Sequence, residues 1–142
     1  MPVLAIIAML VSIVILALNP KKQFGEVNNH KRQTDVAIIA DAIVTYANTV
    51  DRSLLLAIPL SPAAAVEACG DALTGSCNHL FNLSMLKERN LLLAIPLDPL
   101  SQDPDYPNEH TRYFLQRPSA GHVTVSSPDA EPEGMTDIAA TR

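Results

Sequence analysis

The chain has 142 residues, carries a formal net charge of −5 and contains no tryptophan. A chain of this length has room for one modest hydrophobic core. The negative charge provides no cationic field for a nucleic-acid backbone, and the few aromatic residues leave few rings for stacking on bases or sugars. Direct binding of nucleic acid is therefore not predicted.

The chain begins with an apolar segment that only Pro2 and Ser12 interrupt before residue 19. As a helix this segment would be roughly 27 Å long, at the short end of what a bilayer core requires. A small domain could not surround a helix that is apolar on every side, so a buried core helix is not favoured. A cleavable signal peptide is also disfavoured, because a basic n-region and a small-residue cleavage site are both missing.

Asn19 and Pro20 favour the start of a second helical segment with a kink near Pro20, and Gly25 loosens its first turns. After a polar stretch, apolar side chains recur at spacings of three and four residues, which is typical of a helix with one apolar face. This stripe comprises Val36, Ile39, Ala40, Ile43, Tyr46, Ala47 and Val50. The basic residues before it are predicted to form a solvated collar, with binding to DNA or anionic lipid as the alternative. They are Lys21, Lys22, Lys31 and Arg32.

Short elements are predicted in the rest of the chain. A helical turn is expected ahead of Cys69, and a short helix over residues 82–90 with Leu83 and Leu86 facing inward. Two strands are expected further on, joined by a turn at residues 118–121. Their ranges are 112–116 and 122–126.

Cys69 and Cys77 lie close together and flank a glycine-containing segment. This spacing suits a local disulfide in an oxidising compartment. With His79 the two cysteines resemble part of a zinc site, but zinc requires four ligands and the sequence contains no second cluster of Cys and His. The disulfide is therefore the preferred prediction.

A proline-containing loop carries four carboxylates, and oxygen ligands of this kind are what calcium prefers. The spacing is not that of an EF-hand, and most acidic loops are simply solvated. No cofactor is therefore predicted; calcium is the alternative, with Asp98, Asp103, Asp105 and Glu109 as candidate ligands. No arrangement of residues in the sequence favours catalysis, so no enzyme activity is predicted.

The order of these features resembles the N-terminal half of type IV pilins and of type II secretion pseudopilins. The likeness is carried by SIVILALNPKKQFGEVNNHKRQTDVAIIADAIVTYA and, in outline, by RYFLQRPSAGHVTVSSPDAE. It is strongest over residues 10–50, weaker over 91–131 and slight over 51–80. The resemblance implies an α+β fold of lollipop shape, in which a long helix kinked near Pro20 packs on a small antiparallel sheet. The implied parts are a hydrophobic stem (1–20), a head (21–131) and a flexible acidic tail (132–142).

The resemblance further implies a structural subunit that polymerises through its stem into a type IV pilus-like filament on the bacterial cell surface. Such filaments serve adhesion, motility or DNA uptake. The implied partners are further copies of the chain, the inner membrane before assembly, and the pilus assembly machinery. Loss of helical order in the filament would occur at Pro20 and Gly25. The predicted filament-core residues are Leu4, Ile6, Ile7, Leu10, Ile13, Val14, Leu16 and Leu18.

The chain departs from the family pattern at its start. Family members usually carry a basic leader, a glycine before the cleavage point and a glutamate near the mature N-terminus, whereas position 5 here is Ala5. We expect either that further residues precede Met1 or that assembly proceeds without that carboxylate. The positive-inside rule alone would place the head in the cytoplasm, but the cysteine pair and the resemblance place it outside. Two other functions stay open: a pseudopilin of a type II secretion-like machine, whose relatives hold calcium in a C-terminal loop, and a monomeric membrane-anchored binding module.

Overall fold

Two helices form the N-terminal part of the chain in the computed structural model. Helix α1 spans Pro2–Leu18 and helix α2 spans Pro20–Thr49. Pro20 begins α2, where its missing N–H breaks no helical hydrogen bond, and α2 continues without interruption through Gly25. Residue 19 lies outside the described residues, so the kink near Pro20 stays a prediction. The structure describes residues 2–18, 20–70, 77, 79–102, 110–130 and 137–142, without the side chains at 2, 14–18, 20, 21 and 102.

Shorter elements form the head. They are helix α3 (Ser53–Ala57), strand β1 (Val66–Cys69), strand β2 (Phe81–Asn82), helix α4 (Ser84–Glu88), a 3₁₀ turn (Pro99–Gln102) and strands β3 (His110–Gln116), β4 (Thr124–Ser127) and β5 (Ile138–Thr141). The chain therefore has the predicted α+β class, with N-terminal helices and a small five-stranded sheet.

The strands form one sheet in the order β2, β1, β3, β4, β5. Strands β1 and β2 run parallel, whereas the other neighbouring pairs are antiparallel. The prediction of an antiparallel sheet is therefore wrong for one pair. Residues 70–80 join β1 to β2, and this connection is far longer than the tight hairpin turn that makes neighbouring strands antiparallel.

The predicted hairpin is present at the centre of the sheet. Strands β3 and β4 pair in antiparallel fashion, with Leu115 opposite Val125 and both side chains buried. The observed strand ends differ from the predicted ones by at most two residues. In the turn, Gly121 has a φ of 89°, a left-handed conformation that glycine adopts without steric strain.

Two segments differ from the sequence predictions. The helical turn expected ahead of Cys69 is strand β1, which lies between β2 and β3. The end of the predicted flexible tail is strand β5, which pairs with β4, and beyond it Arg142 and Val123 exchange two backbone hydrogen bonds. Neither strand has a strong local signal. Both form because a neighbouring strand satisfies their backbone donors and acceptors.

Helix α2 packs its apolar stripe across β4 and β5. The stripe residues buried in the core are Val36, Ile39, Ala40, Ile43 and Ala47. Tyr46 is only partly buried, and Val50 is exposed because it follows the last residue of α2. As predicted, Leu83 and Leu86 beside and within α4 face inward, and both are fully buried.

Candidate assembly interface

Helix α1 presents apolar side chains around its whole circumference. Between residues 3 and 13 the large apolar side chains are 51% to 70% exposed. They are Val3, Leu4, Ile6, Ile7, Met9, Leu10, Val11 and Ile13. Successive side chains of a helix are about 100° apart, so this set covers roughly 220° of the cylinder. The remaining side carries the small residues Ala5, Ala8 and Ser12, which are also exposed. The surface of α1 between residues 3 and 13 is thus available to partners on all sides.

The predicted filament-core residues divide into two groups. Those with described side chains are all exposed: Leu4, Ile6, Ile7, Leu10 and Ile13. The remaining three lie in α1, but their side chains are outside the described residues: Val14, Leu16 and Leu18. Exposure does not test assembly, so the part of all eight residues in assembly stays a prediction.

The polar content of α1 is low. Residues 2–18 contain no charged side chain, and the hydroxyl of Ser12 donates to the carbonyl of Ala8 at 2.8 Å. Residues 3–13 can therefore enter an apolar environment without leaving a side-chain donor unpaired. No helix in the described ranges is both long enough and apolar enough to cross a membrane.

A buried ion pair fastens α2 to the 3₁₀ turn. The guanidinium of Arg32 donates from Nε to Asp98 Oδ2 at 2.6 Å and from Nη2 to Oδ1 at 3.0 Å, and both side chains are fully buried. Asp98 also accepts the backbone N–H of Leu100 at 2.8 Å and the hydroxyl of Ser127 at 3.4 Å. Within α2, Nη1 of Arg32 also donates to Asn29 Oδ1 at 3.0 Å. Because Asp98 contacts Arg32, Leu100 and Ser127, one network joins α2, the turn and β4.

The prediction of a solvated basic collar is therefore wrong for Arg32. Lys22 and Lys31 are exposed, as predicted, and the ammonium of Lys31 donates to the carbonyl of Leu97. The side chain of Lys21 is outside the described residues. Adjacent residues of a helix point in different directions, so Lys31 reaches the surface while Arg32 enters the core.

A second buried polar contact lies one helical turn further along α2. The hydroxyl of Tyr113 donates to Asp35 Oδ2 at 2.7 Å, and Lys31 Nζ is 3.6 Å from the same oxygen. Burial, and then the hydrogen bond to Asp35, raise the pKa of Tyr113 far above its ordinary value. The phenol therefore stays protonated in the folded chain and acts as a donor.

Glu67 stabilises an irregularity between β1 and β3. Its Oε1 accepts the backbone N–H of Arg112 at 2.8 Å, and its Oε2 lies 2.7 Å from His110 Nδ1. Arg112 has a φ of 63°, in a region that residues other than glycine seldom adopt. The side chain of Arg112 donates to Asp129 at 2.6 Å. These contacts hold the shift of register between β1 and β3 in place.

Cys69 and Cys77 form the predicted disulfide. Cys69 ends β1 in the core, and the bridge spans a sequence separation of 8. Because each sulfur is bonded to the other, neither is available as a thiolate ligand, and the zinc alternative is excluded for the oxidised chain.

The calcium candidates do not meet in one described site. Asp98 is buried, and Arg32, Leu100 and Ser127 occupy both of its carboxylate oxygens. The other three candidates, Asp103, Asp105 and Glu109, lie outside the described residues. In the part of the chain that the structure describes, no group of three or more His, Cys, Asp or Glu side chains is arranged to hold a metal ion.

Comparisons with protein-family models, with curated proteins and with solved structures find no match for this chain. The likeness to type IV pilins therefore rests on the residues quoted from the sequence. The exposed apolar helix and the small folded head are the two structural features on which a functional proposal is built.

The sequence prediction missed the link between α2 and the head. Arg32 and Asp98 are 66 positions apart, and each lies among other residues of its own charge type. A buried ion pair leaves no local pattern in a sequence of this kind, because its partners meet only when the head has folded.

Proposed function

We propose that the chain is a structural subunit that polymerises through α1 into an extracellular type IV pilus-like filament, and that it is not an enzyme. The observation that carries the proposal is the exposure of apolar side chains on every side of α1 between residues 3 and 13. Burying apolar surface contributes about 25 cal/mol per Å². A helix that is apolar all round needs partners on several sides, whereas a simple dimer would cover only one face.

Polymerisation follows from this shape. If the stem of one copy contacts different surfaces of several others, the contacts are heterologous and give an open helical assembly. Before assembly, the same apolar surface would hold the stem in the inner membrane. A kink near Pro20 would set the angle between stem and head, and Pro20 and Gly25 would permit local loss of helix in the filament.

An extracellular location is supported by the disulfide between Cys69 and Cys77. Disulfides persist in oxidising compartments and are rare in the cytosol. A head outside the inner membrane would be where a surface filament is built. No cofactor is needed for this function, because the working surface is apolar packing distributed over α1.

The proposal is tested by shearing intact cells of the source organism and examining the released material by electron microscopy and mass spectrometry. We expect thin filaments that contain this chain. Ile13→Asp places a charge in the exposed apolar surface of α1 and should abolish filaments, whereas Ile13→Leu should retain them. A chain that stays in the membrane fraction without filaments would overturn the proposal in favour of a pseudopilin or a monomeric anchor.

A further inference from the structure

Strand β5 has a neighbouring strand on one side only among the described residues. It is the last strand of the sheet, and it pairs there with β4. Arg142 and Val123 exchange two backbone hydrogen bonds, and such pairs alternate along an antiparallel ladder. Ala140 therefore bonds to β4, whereas Ala139 and Thr141 direct their backbone N–H and C=O groups away from the sheet. These groups are placed as a further strand would need them.

The edge of β5 lacks the features that usually protect a sheet edge. Natural sheets block such an edge with lysine, with proline or with a bulge. Strand β5, Ile138–Thr141, contains neither lysine nor proline, and its pairing with β4 has no shift of register. The Arg142 guanidinium donates to the Thr141 carbonyl at 3.3 Å, but Ala139 keeps both of its backbone groups at the edge. The edge can therefore accept an extended segment by strand addition.

The opposite edge of the same sheet is strand β2, and it runs in the opposite direction to β5. Strand β2 is parallel to β1, whereas β1 and β3, β3 and β4, and β4 and β5 are antiparallel pairs. Two copies set side by side in the same orientation would therefore place β5 of one antiparallel to β2 of the next. Antiparallel pairing is the slightly more stable kind per residue.

We propose that the edge of β5 pairs with strand β2 of a second copy, so that the sheets of neighbouring heads join. This inference rests on the proposed function and names a contact between heads that accompanies the packing of the stems. The two copies use different edges, so each added copy leaves one edge of each kind for the next, and the arrangement stays open. Pairing of β5 with β5 would instead close as a two-fold dimer.

Charges near the two edges support this pairing. In an antiparallel pair the start of one strand lies beside the end of the other. Asp137, which is exposed, precedes β5. Lys87, Glu88 and Arg89 lie shortly after the end of β2 and together carry a net positive charge. Opposite charges are thus placed at matching ends, where they favour this direction of pairing more than they add to affinity.

A joined sheet is compatible with packing of the stems. Helix α2 packs across β4 and β5 on one face of the sheet, where Ala140 lies against the core. In a joined sheet each copy has α2 on that same face, so the stems gather on one side. Ala139 and Thr141, which alternate with Ala140, are exposed on the opposite face. Pairing at the edge therefore leaves α1 available to other stems.

Photo-cross-linking in intact filaments tests the contact. Thr141→p-benzoylphenylalanine places a photoreactive ring at the edge of β5 in the full-length chain. We expect irradiation to give a ladder of covalent oligomers, and mass spectrometry to locate the attachment within residues 79–89 of another copy. The matched control is Gln116→p-benzoylphenylalanine, on β3 and roughly 10 Å from the edge, which should give no ladder.

A second readout is the yield of sheared filaments. Ala139→Pro removes the N–H that faces the edge and should lower the yield about tenfold or more, because its ring also occupies the place of the added strand. Ala139→Ser keeps the N–H and should leave the yield unchanged. Urea unfolding of the detergent-solubilised variants shows that both heads fold. If Ala139→Pro does not fold, the cross-link alone decides.

Three outcomes would overturn the inference. Covalent dimers without a ladder would indicate pairing of β5 with β5 instead. Attachment only outside residues 79–89 would show that β2 is not the partner, and in both cases the proposed function stands if wild-type filaments form. If wild type forms no filaments, the inference falls together with the proposed function. A ladder attached within residues 79–89, together with loss of filaments in Ala139→Pro alone, supports the joined sheet.

Discussion

At the scale of single residues, α2 is linked to the head by the buried pair of Arg32 and Asp98. Both side chains are fully buried, and Asp98 also organises the backbone of the 3₁₀ turn through the N–H of Leu100. A buried pair of this kind adds little net stability over an apolar pair, because both ions lose their hydration. Its main effect is to fix the position of the 3₁₀ turn relative to α2.

Removing one partner of this pair should be costly. Arg32→Met leaves the charge of Asp98 buried and unpaired, and we expect a loss of about 3 to 5 kcal/mol in the free energy of unfolding. The measurement is urea unfolding of the detergent-solubilised chain followed by circular dichroism. The double variant Arg32→Met/Asp98→Leu is the control and should recover most of the loss. A single variant as stable as wild type would contradict the buried pair.

The raised pKa of Tyr113 predicts that the stability of the folded chain depends on pH in the alkaline range. In the folded chain its pKa is raised by burial and by Asp35, whereas the unfolded chain has the ordinary value of 10.0. Above that pH the unfolded state releases a proton that the folded state keeps, so stability is complete below pH 10.0 and falls above it.

The variant Tyr113→Phe isolates this effect. Wild type should lose about 1.4 kcal/mol more per pH unit above the ordinary tyrosine pKa than the variant loses. Below that pH the variant should be less stable by about 1 to 3 kcal/mol, because Asp35 loses a buried donor. The two curves are compared by urea unfolding at a series of pH values. Parallel curves throughout would show that Tyr113 is not held protonated.

At the scale of elements, strand β5 lies at the edge of the sheet and is held there by backbone hydrogen bonds to one neighbouring strand. Its inner neighbour is β4, and Val123 and Arg142 exchange two backbone hydrogen bonds at its end. Hydrogen-bonded pairs alternate along an antiparallel ladder, so Ala140 bonds to Val125 while Ala139 directs its N–H to the free edge. The Arg142 guanidinium also donates to Asp41 of α2 at 2.6 Å.

This alternation yields a matched pair of proline variants. Ala140→Pro removes a donor from the ladder and should lower the free energy of unfolding by about 1 to 3 kcal/mol. Ala139→Pro removes a donor that faces the free edge and should have a much smaller effect. Limited proteolysis with mass spectrometry should show faster loss of the C-terminal residues in Ala140→Pro alone. Equal sensitivity of the two variants would contradict the assigned register.

At the scale of the whole molecule, the chain separates an uncharged apolar stem from a charged head. Residues 2–18 carry no charge, so the net charge of −5 belongs to the rest of the chain. If copies assemble through α1 as proposed, their cohesion is apolar, and salt screens only charge interactions.

Filaments should respond to solvents accordingly. A mild detergent offers α1 an alternative apolar environment and should dissociate sheared filaments into single chains. Raising the salt concentration to about 1 M, where the Debye length is roughly 3 Å, should leave them intact or strengthen them. Light scattering and sedimentation measure both effects. Filaments that fall apart in salt but survive detergent would indicate cohesion through charged head surfaces instead.

Periodicity allowed the helices and the hairpin to be predicted from sequence. The stripe from Val36 to Ala47 lies in the core, and strands β3 and β4 lie within two residues of their predicted ends. The alternation of β3 and β4 and the helical spacing in α2 are local properties that survive in the fold. Strands β1 and β5 were missed because their pattern is weak and their formation depends on a neighbouring strand.

By itself, the sequence determined the apolar N-terminal helix, the amphipathic half of α2, the central hairpin and the cysteine pairing. Each follows from residues close together in the chain, since helix and strand periods and a short disulfide loop are local. Only the tertiary structure decided which basic residue is buried, where Asp98 finds its partner and which side of α2 stays uncovered. Those outcomes depend on contacts between distant segments, because burial of a charge is tolerable only where a distant partner pairs with it.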